Sequence, residues 1–192
     1  MHISITGRLG SGKSTVCHII SDRYGYEIFS TGAIQREVAR EKGISTLELN
    51  ELMKIDHSLD DIIDTTTTKL SRERAGEKLI FDSRMAWHFA ENTFKIFVTV
   101  DPMVAAARVF ADPRDVEPYE SVEDASDMLI ARSRVEQERF VTIYGVDYYD
   151  FANYNLVVDS SNRTPEEVVD VIWQAFNNYC EDPEKYAHVE MI

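Results

Sequence analysis

Nine residues near the start of the chain, Gly7-Arg8-Leu9-Gly10-Ser11-Gly12-Lys13-Ser14-Thr15, have the types and spacing of a phosphate cradle. They satisfy G-x-x-x-x-G-K-[ST], the P-loop, whose backbone N–H groups wrap a phosphate chain. Gly7, Gly10 and Gly12 let the main chain fold inward, and Ser11 and Thr15 complete the loop and the first turn of the helix behind it. Lys13 can reach the β- and γ-phosphates, and the Ser14 hydroxyl can ligate Mg²⁺. The ligand this motif implies is a nucleoside triphosphate. Further cations stand at Arg36, Arg84, Arg108, Arg132 and Arg139. Arg132 and Arg139 are seven residues apart on a helical pattern, so they share a face, with Glu136 between them; Arg134 points away from it. With a P-loop, such a set makes a clamp for a phosphoryl group in transfer, where fixed positive charge stabilises the transition state.

These residues need elements to hold them. His2 to Thr6 reads as a strand before the loop, and Val16, Ile19, Ile20 and Tyr24 recur at helical spacing after it, ended by Gly25. Tyr26 to Phe29, Lys78 to Phe81, Lys95 to Val100 and Asn155 to Val158 read as four more strands. Between them the pattern predicts a helix from Ala33 to about Glu41, ended by Gly43. A second opens at the capping box Ser45-x-x-Glu48, and a third carries Leu59, Ile62, Ile63 and Leu70. Asp101-Pro102 opens another helix. Ser121-x-x-Asp124 opens a long one that Gly145 stops, and Thr164-Pro165 opens the last. The aromatic stretch Tyr144 to Tyr154 reads as a packed loop, and residues after Tyr179 carry no pattern. Strands alternating with helices predict an α/β fold: a five-stranded parallel sheet with helices on both faces. Ligands in such sheets sit at the carboxyl ends of the strands. The P-loop, Ser30-Thr31-Gly32, Asp82-Ser83-Arg84 and the loop after Val158 all fall there.

The 192 residues suffice for one domain, and 44% hydrophobic residues make it globular. A net charge of −14 counts against nucleic acid and anionic membranes as partners, though not against a phosphate substrate met by a few focused arginines. Cys17 and Cys180 are the only cysteines and imply no disulfide framework; Cys17 reads as a small buried hydrophobe. No apolar run has transmembrane length, and the first residues read as a strand rather than a signal peptide, so a cytoplasmic location is the expectation. The five histidines form no metal-ligand pattern.

The motifs together resemble the nucleoside monophosphate kinases of the P-loop NTPase fold, and within them the short cytidylate kinases. The resemblance spans about residues 1–178. It rests on the P-loop, Thr31-Gly32-Ala33-Ile34-x-Arg36, Asp82-Ser83-Arg84, Arg132-x-x-x-Glu136-x-x-Arg139, and Tyr154 to Ser161. It implies a single kinase domain over 1–178 with a tail over 179–192. Within that domain it implies a monophosphate-binding arm over 31–75 and a lid over 110–121, its acidic part Asp112 to Glu120, entered from Arg108. ATP and Mg²⁺ would be the cofactors, with Mg²⁺ at Ser14 and, through water, Asp82. Thr31, Arg36, Arg84, Arg132 and Arg139 would hold the acceptor, and Glu136 its sugar. Lys13, Arg108 and Arg132 would carry transition-state charge, and Ser160 to Pro165 would lie near the adenine. A monomer goes with this architecture.

The sequence also departs from the family pattern. Met85 stands where many relatives have an aspartate that reads cytosine, Ser83 replaces a glycine, and Gln35 replaces a tyrosine. Arg108 is alone on a helix that elsewhere carries several arginines, with Arg114 inside the loop. Methionine offers no donor, so base choice is expected to loosen unless Gln35 or Asp56 takes over. The leading reading is transfer of the ATP γ-phosphate to CMP or dCMP. The others are a kinase for another phosphorylated acceptor (AMP, UMP, dephospho-coenzyme A) and a nucleotide-binding regulatory module with little turnover.

Overall fold

The structure, a computed structural model, describes residues 1–112, 119–186 and 191–192. Residues 113–118, most of the expected lid and including Arg114, lie outside the described residues, as do 187–190 of the expected tail.

The sheet follows from the apolar runs. Its strands are β1 (His2–Gly7), β2 (Glu27–Ser30), β3 (Leu79–Asp82), β4 (Thr93–Thr99) and β5 (Leu156–Asp159), in the order β2-β3-β1-β4-β5 and all parallel. Every residue of β1 is buried, so its polar members need internal partners. His2 Nε2 reaches the Ser71 carbonyl, Ser4 pairs with Thr93, and the Thr6 hydroxyl donates to the Ser83 carbonyl. The register brings Ile5 beside Asp82, and Ser30 beside the same Asp82. Three strand ends therefore converge at the mouth of the P-loop.

The helices are α1 (Lys13–Tyr24), α2 (Thr31–Lys42), α3 (Thr46–Met53), α4 (Ser58–Glu73), α5 (Ala86–Phe89), α6 (Pro102–Ala111), α7 (Val122–Tyr144) and α8 (Pro165–Glu181). One face of the sheet is covered by α1 and α8 through Val16, Ile20, Val168, Ile172 and Phe176. The other is covered by α5 and α7 with the aromatic loop, where Trp87, Phe97, Phe140, Tyr148 and Tyr154 pack together. That loop is packing, as expected, and it contains a single 3₁₀ turn over Phe151–Asn153. Helices α2 and α3 join through Ala39, Leu49 and Met53. The capping box at Ser45 forms, with Glu48 accepting from the Ser45 N–H at 2.7 Å. Asp101, Ser121 and Thr164 cap α6, α7 and α8 as their spacing predicts.

The differences from expectation are local. Helix α5 is a single turn, too short to leave a periodic signal. β4 starts two residues earlier, because Thr93 pairs with His2 across the sheet. Beyond α8, Met191 bridges to Val157, and Ile192 exchanges backbone hydrogen bonds with Val157 and Asp159. The last residues thus lie along the β5 edge, a pairing without a periodic pattern. Among the described residues no helix is long and apolar enough to cross a membrane.

Candidate active site

The P-loop leaves β1 at Gly7 and enters α1 at Lys13. At two positions only glycine fits. A Cβ on Gly7 would lie 2.2 Å from the Val98 carbonyl oxygen, and one on Gly10 would lie 2.9 Å from Ala105 on α6. The loop is thus wedged between β4 and the helix that leads to residues 113–118. No side chain among the described residues caps the first turn of α1, whereas α3, α6, α7 and α8 are all capped. Those open N–H groups, with the positive end of the helix dipole, suit a phosphate. The Lys13 ammonium is folded onto the loop, donating to the carbonyls of Gly7 (3.4 Å) and Arg8 (3.2 Å). Burial, helped by the charge of Arg84, pushes its pKa down to about 7. An arriving polyphosphate reverses the electrostatic part of that cost.

Asp82, at the end of β3, gathers hydroxyls. One of its oxygens accepts from Ser14 at 3.3 Å and from Ser30 at 3.0 Å. A hydroxyl and a carboxylate side by side at the phosphate cradle are hard oxygen donors of the kind Mg²⁺ takes, so the residues present fit that ion.

From the cradle a single cleft runs outward between α2, α4 and α7. Arg84 and Arg132 meet there on one carboxylate: Glu136 accepts from each Nε at 2.9 Å. Glu136 is 2% exposed. Burial alone would raise its pKa, but Arg84 and Arg132, with Arg139 behind, hold it at about 2. Burial works against the Arg84 charge too, and Glu136 outweighs it, so that guanidinium is held more firmly protonated than usual. Thr31, Gly32, Gln35 and Arg36 line the facing wall from α2. The arrangement is two guanidiniums fixed by a shared carboxylate, a third across from them, and a triphosphate cradle at the end of the same cleft. It can bring two phosphate groups together and neutralise the charge between them.

Residues 2–162 match the model of the cytidylate kinase-like family. The chain belongs to that family. It is 29% identical over 181 residues to a cytidylate kinase of Methanosarcina barkeri, covering 93% of this chain and 97% of that protein. It is 33% identical over 174 residues to a cytidylate kinase of Sulfolobus acidocaldarius, covering 90% and 92%. Among solved structures, a shikimate kinase from Bacteroides thetaiotaomicron superposes with a TM-score of 0.58 at 12% identity, over 92% of this chain and 98% of that one. That likeness is one of fold: the P-loop kinase sheet with helices on both faces. A cytidylate kinase-like protein is a nucleotide kinase, hence a phosphotransferase.

The cleft brings together Gly10, Ser11, Gly12, Lys13, Ser14, Thr15, Thr31, Arg36, Asp82, Arg84, Arg132 and Glu136. It does not bring in every residue the family pattern points to. Arg139 does not line it. Arg139 is 2% exposed, donates to Asn50 at 2.8 Å and faces Asp60 at 3.4 Å, so it links α7 to α3 and α4. The shared face inferred from spacing is real, but α3 and α4 cover its last turn. Arg108 also turns elsewhere: it donates to the Ser160 hydroxyl at 3.1 Å and the Ser160 carbonyl at 2.7 Å. It ties α6 to the loop expected beside adenine, and Val109 and Asp112 line the cleft in its place. Met85 lines the cleft but is 4% exposed and packed in the aromatic cluster with Trp87 and Tyr154. Asp56 is exposed, accepts from the Ser58 N–H, and lies outside the cleft. Sequence reasoning missed Asp60 and Asp64, which line it from α4. The i, i+4 spacing was visible, but an aspartate on an amphipathic helix reads as solvated.

Proposed function

We propose that the protein transfers the γ-phosphate of ATP to CMP or dCMP. The observation that carries this reading is the single cleft in which the P-loop faces the Arg84–Glu136–Arg132 cluster. Three arginines on the acceptor side favour an acceptor that already bears a phosphate. The relatives named cytidylate kinase favour cytosine.

In this reading α2, α3 and α4 form the arm that holds the monophosphate, and residues 110–121 the lid. The N–H groups from Gly10 to Ser14 cradle the ATP phosphates, and Lys13 leaves the Gly7 and Arg8 carbonyls for the β- and γ-oxygens. Ser14 and Asp82 would hold Mg²⁺, which would supply further neutralisation of the transferring phosphoryl group. Arg36, Arg84 and Arg132 orient the acceptor phosphate, whose oxygen is already ionised at neutral pH, so no side chain acts as base. Glu136 keeps Arg84 and Arg132 in place beforehand, so little reorganisation is left for the reaction. The test is ADP release from ATP·Mg²⁺ with CMP, dCMP, UMP, AMP, dephospho-coenzyme A or no acceptor. CMP and dCMP should stimulate turnover most. Stimulation only by dephospho-coenzyme A, or by nothing, refutes the proposal.

A further inference from the structure

We propose that Asp60, held from behind by Arg139, reads the acceptor base by accepting a hydrogen bond from the exocyclic amine of cytosine. This rests on the reading of the cleft as a nucleoside monophosphate site.

Three observations lead there. The first is position. Among the α7 residues that line the cleft, Arg132, Glu136 and Phe140 step by one turn, each step about 6 Å. Arg132 and Glu136, the latter also holding Arg84, occupy the first two steps. Phe140 stands beyond them, and Tyr144, a turn further, donates to Asp64 on α4. The end of the cleft away from the phosphate groups is therefore built from Asp60, Ile63 and Asp64 on α4 against Phe140 on α7. Apolar side chains with two carboxylates among them suit a flat heterocycle with polar edges.

The second is an unmet hydrogen-bonding need. Asp60 is 4% exposed, and its Oδ2 has no hydrogen-bond partner. The neighbouring Arg139 Nε is 3.4 Å away, close enough to hold the charge but not aligned to donate. A buried carboxylate short of donors is costly, and a ligand donor that meets it from the cleft lowers that cost.

The third is chemical selectivity. An ionised carboxylate only accepts. Cytosine carries N–H donors on C4, whereas uracil carries a carbonyl oxygen there, which sets lone pairs against the carboxylate. The same group therefore attracts one pyrimidine and repels the other. With Met85 unable to donate or accept strongly, the discrimination that other members place after the D-x-R arginine moves to α4.

The experiment measures kcat/KM for CMP, UMP, AMP and the 5′-monophosphate of pyrimidin-2-one riboside, which keeps the ring of cytosine but lacks the amine. Wild type and Asp60→Asn are compared, with the KM for ATP measured in parallel. Wild type should favour CMP over both UMP and the pyrimidin-2-one nucleotide by about a hundredfold, the scale of one hydrogen bond to a charged group. Asp60→Asn should cut both preferences at least tenfold and leave the KM for ATP unchanged. If Asp60 is only a strut to Arg139, the variant lowers kcat/KM for all acceptors by one common factor, and the inference fails while the kinase reading stands. Should Asp60→Asn not fold, wild type alone decides, since equal use of CMP and the pyrimidin-2-one nucleotide overturns the inference. No turnover of any monophosphate by wild type overturns the kinase reading and this inference with it.

Discussion

Replacing Glu136 by glutamine keeps its shape and removes its charge, leaving Arg84 and Arg132 without the carboxylate they share. The magnitude follows from the ionisation of Glu136. Its carboxyl ordinarily titrates at 4.5 and is held at about 2 by the guanidiniums, despite the opposing effect of burial. At ~1.36 kcal/mol per pH unit that gap corresponds to roughly 3 kcal/mol of stability at neutral pH, near the usual cost of breaking a buried ion pair. The folded-state value is depressed, so the contribution is fully present above pH 4.5 and fades as pH falls toward 2. At pH 3 roughly 1 kcal/mol of it should remain. Chemical denaturation of wild type and Glu136→Gln at pH 7 and pH 3 measures both numbers. The expected differences are about 3 kcal/mol at pH 7, or roughly 6–12 °C in Tm, and less than half of that at pH 3. A difference below about 1 kcal/mol at pH 7, or one that does not shrink on acidification, would show that Glu136 does not fix the two arginines.

Other perturbations probe the rest of the cleft. Lys13→Ala should lower kcat by ~10²-fold or more with the fold intact by circular dichroism, as expected for losing one preorganised donor; activity within threefold of wild type refutes the P-loop role. Because Lys13 titrates at about 7 while buried, ATP binding at pH 8 should take up close to one proton and strengthen as pH falls from 9 to 7, read from calorimetry in buffers of different ionisation enthalpy. An enthalpy independent of buffer contradicts this. Arg36→Ala should raise the KM for the monophosphate far more than that for ATP, and the reverse ratio would mean the two subsites are exchanged. Met85→Asp, which the family pattern suggests would sharpen base choice, should instead destabilise the protein by several kcal/mol. It buries a carboxylate among Trp87, Phe97 and Tyr154. A variant as stable as wild type, with improved cytosine preference, would show that the family position still reads the base.

Much of the fold was legible because its signals are local. The P-loop declares its own strand and helix, and the near-continuous apolar run from Lys95 to Val100 reads as a buried parallel strand, which it is. The caps at Ser45, Asp101, Ser121 and Thr164 each form from residues within three positions of one another. What stayed hidden depends on contacts between distant segments. The edge pairing of Ile192 with β5 joins residues more than thirty apart. Arg108 looked like a cleft residue until the loop after β5 placed Ser160 beside it. Arg139 looked like a phosphate ligand because helical spacing gives a face, but not what covers that face. Asp60 has no local signature either, since its burial comes from α7 closing over α4.

The charge pattern of the cleft answers a question raised by composition. A chain with a net charge of −14 repels anions at long range, yet a nucleotide kinase must bind two of them. The positive groups are concentrated where charge is least screened: Lys13, Arg84 and Arg132 are buried or nearly so, and the P-loop adds backbone dipoles. Glu136 makes that concentration tolerable before substrates arrive, since its attraction to the guanidiniums outweighs the desolvation of its own carboxylate and of Arg84. The aspartates on α4 complete the polarity. They leave the far end of the cleft inhospitable to phosphate, so under the proposed function an acceptor carrying one phosphate and one base has a single favourable orientation: phosphate toward Arg84 and Arg132, base toward Asp60. The orientation that allows phosphoryl transfer is therefore also the one the electrostatics select.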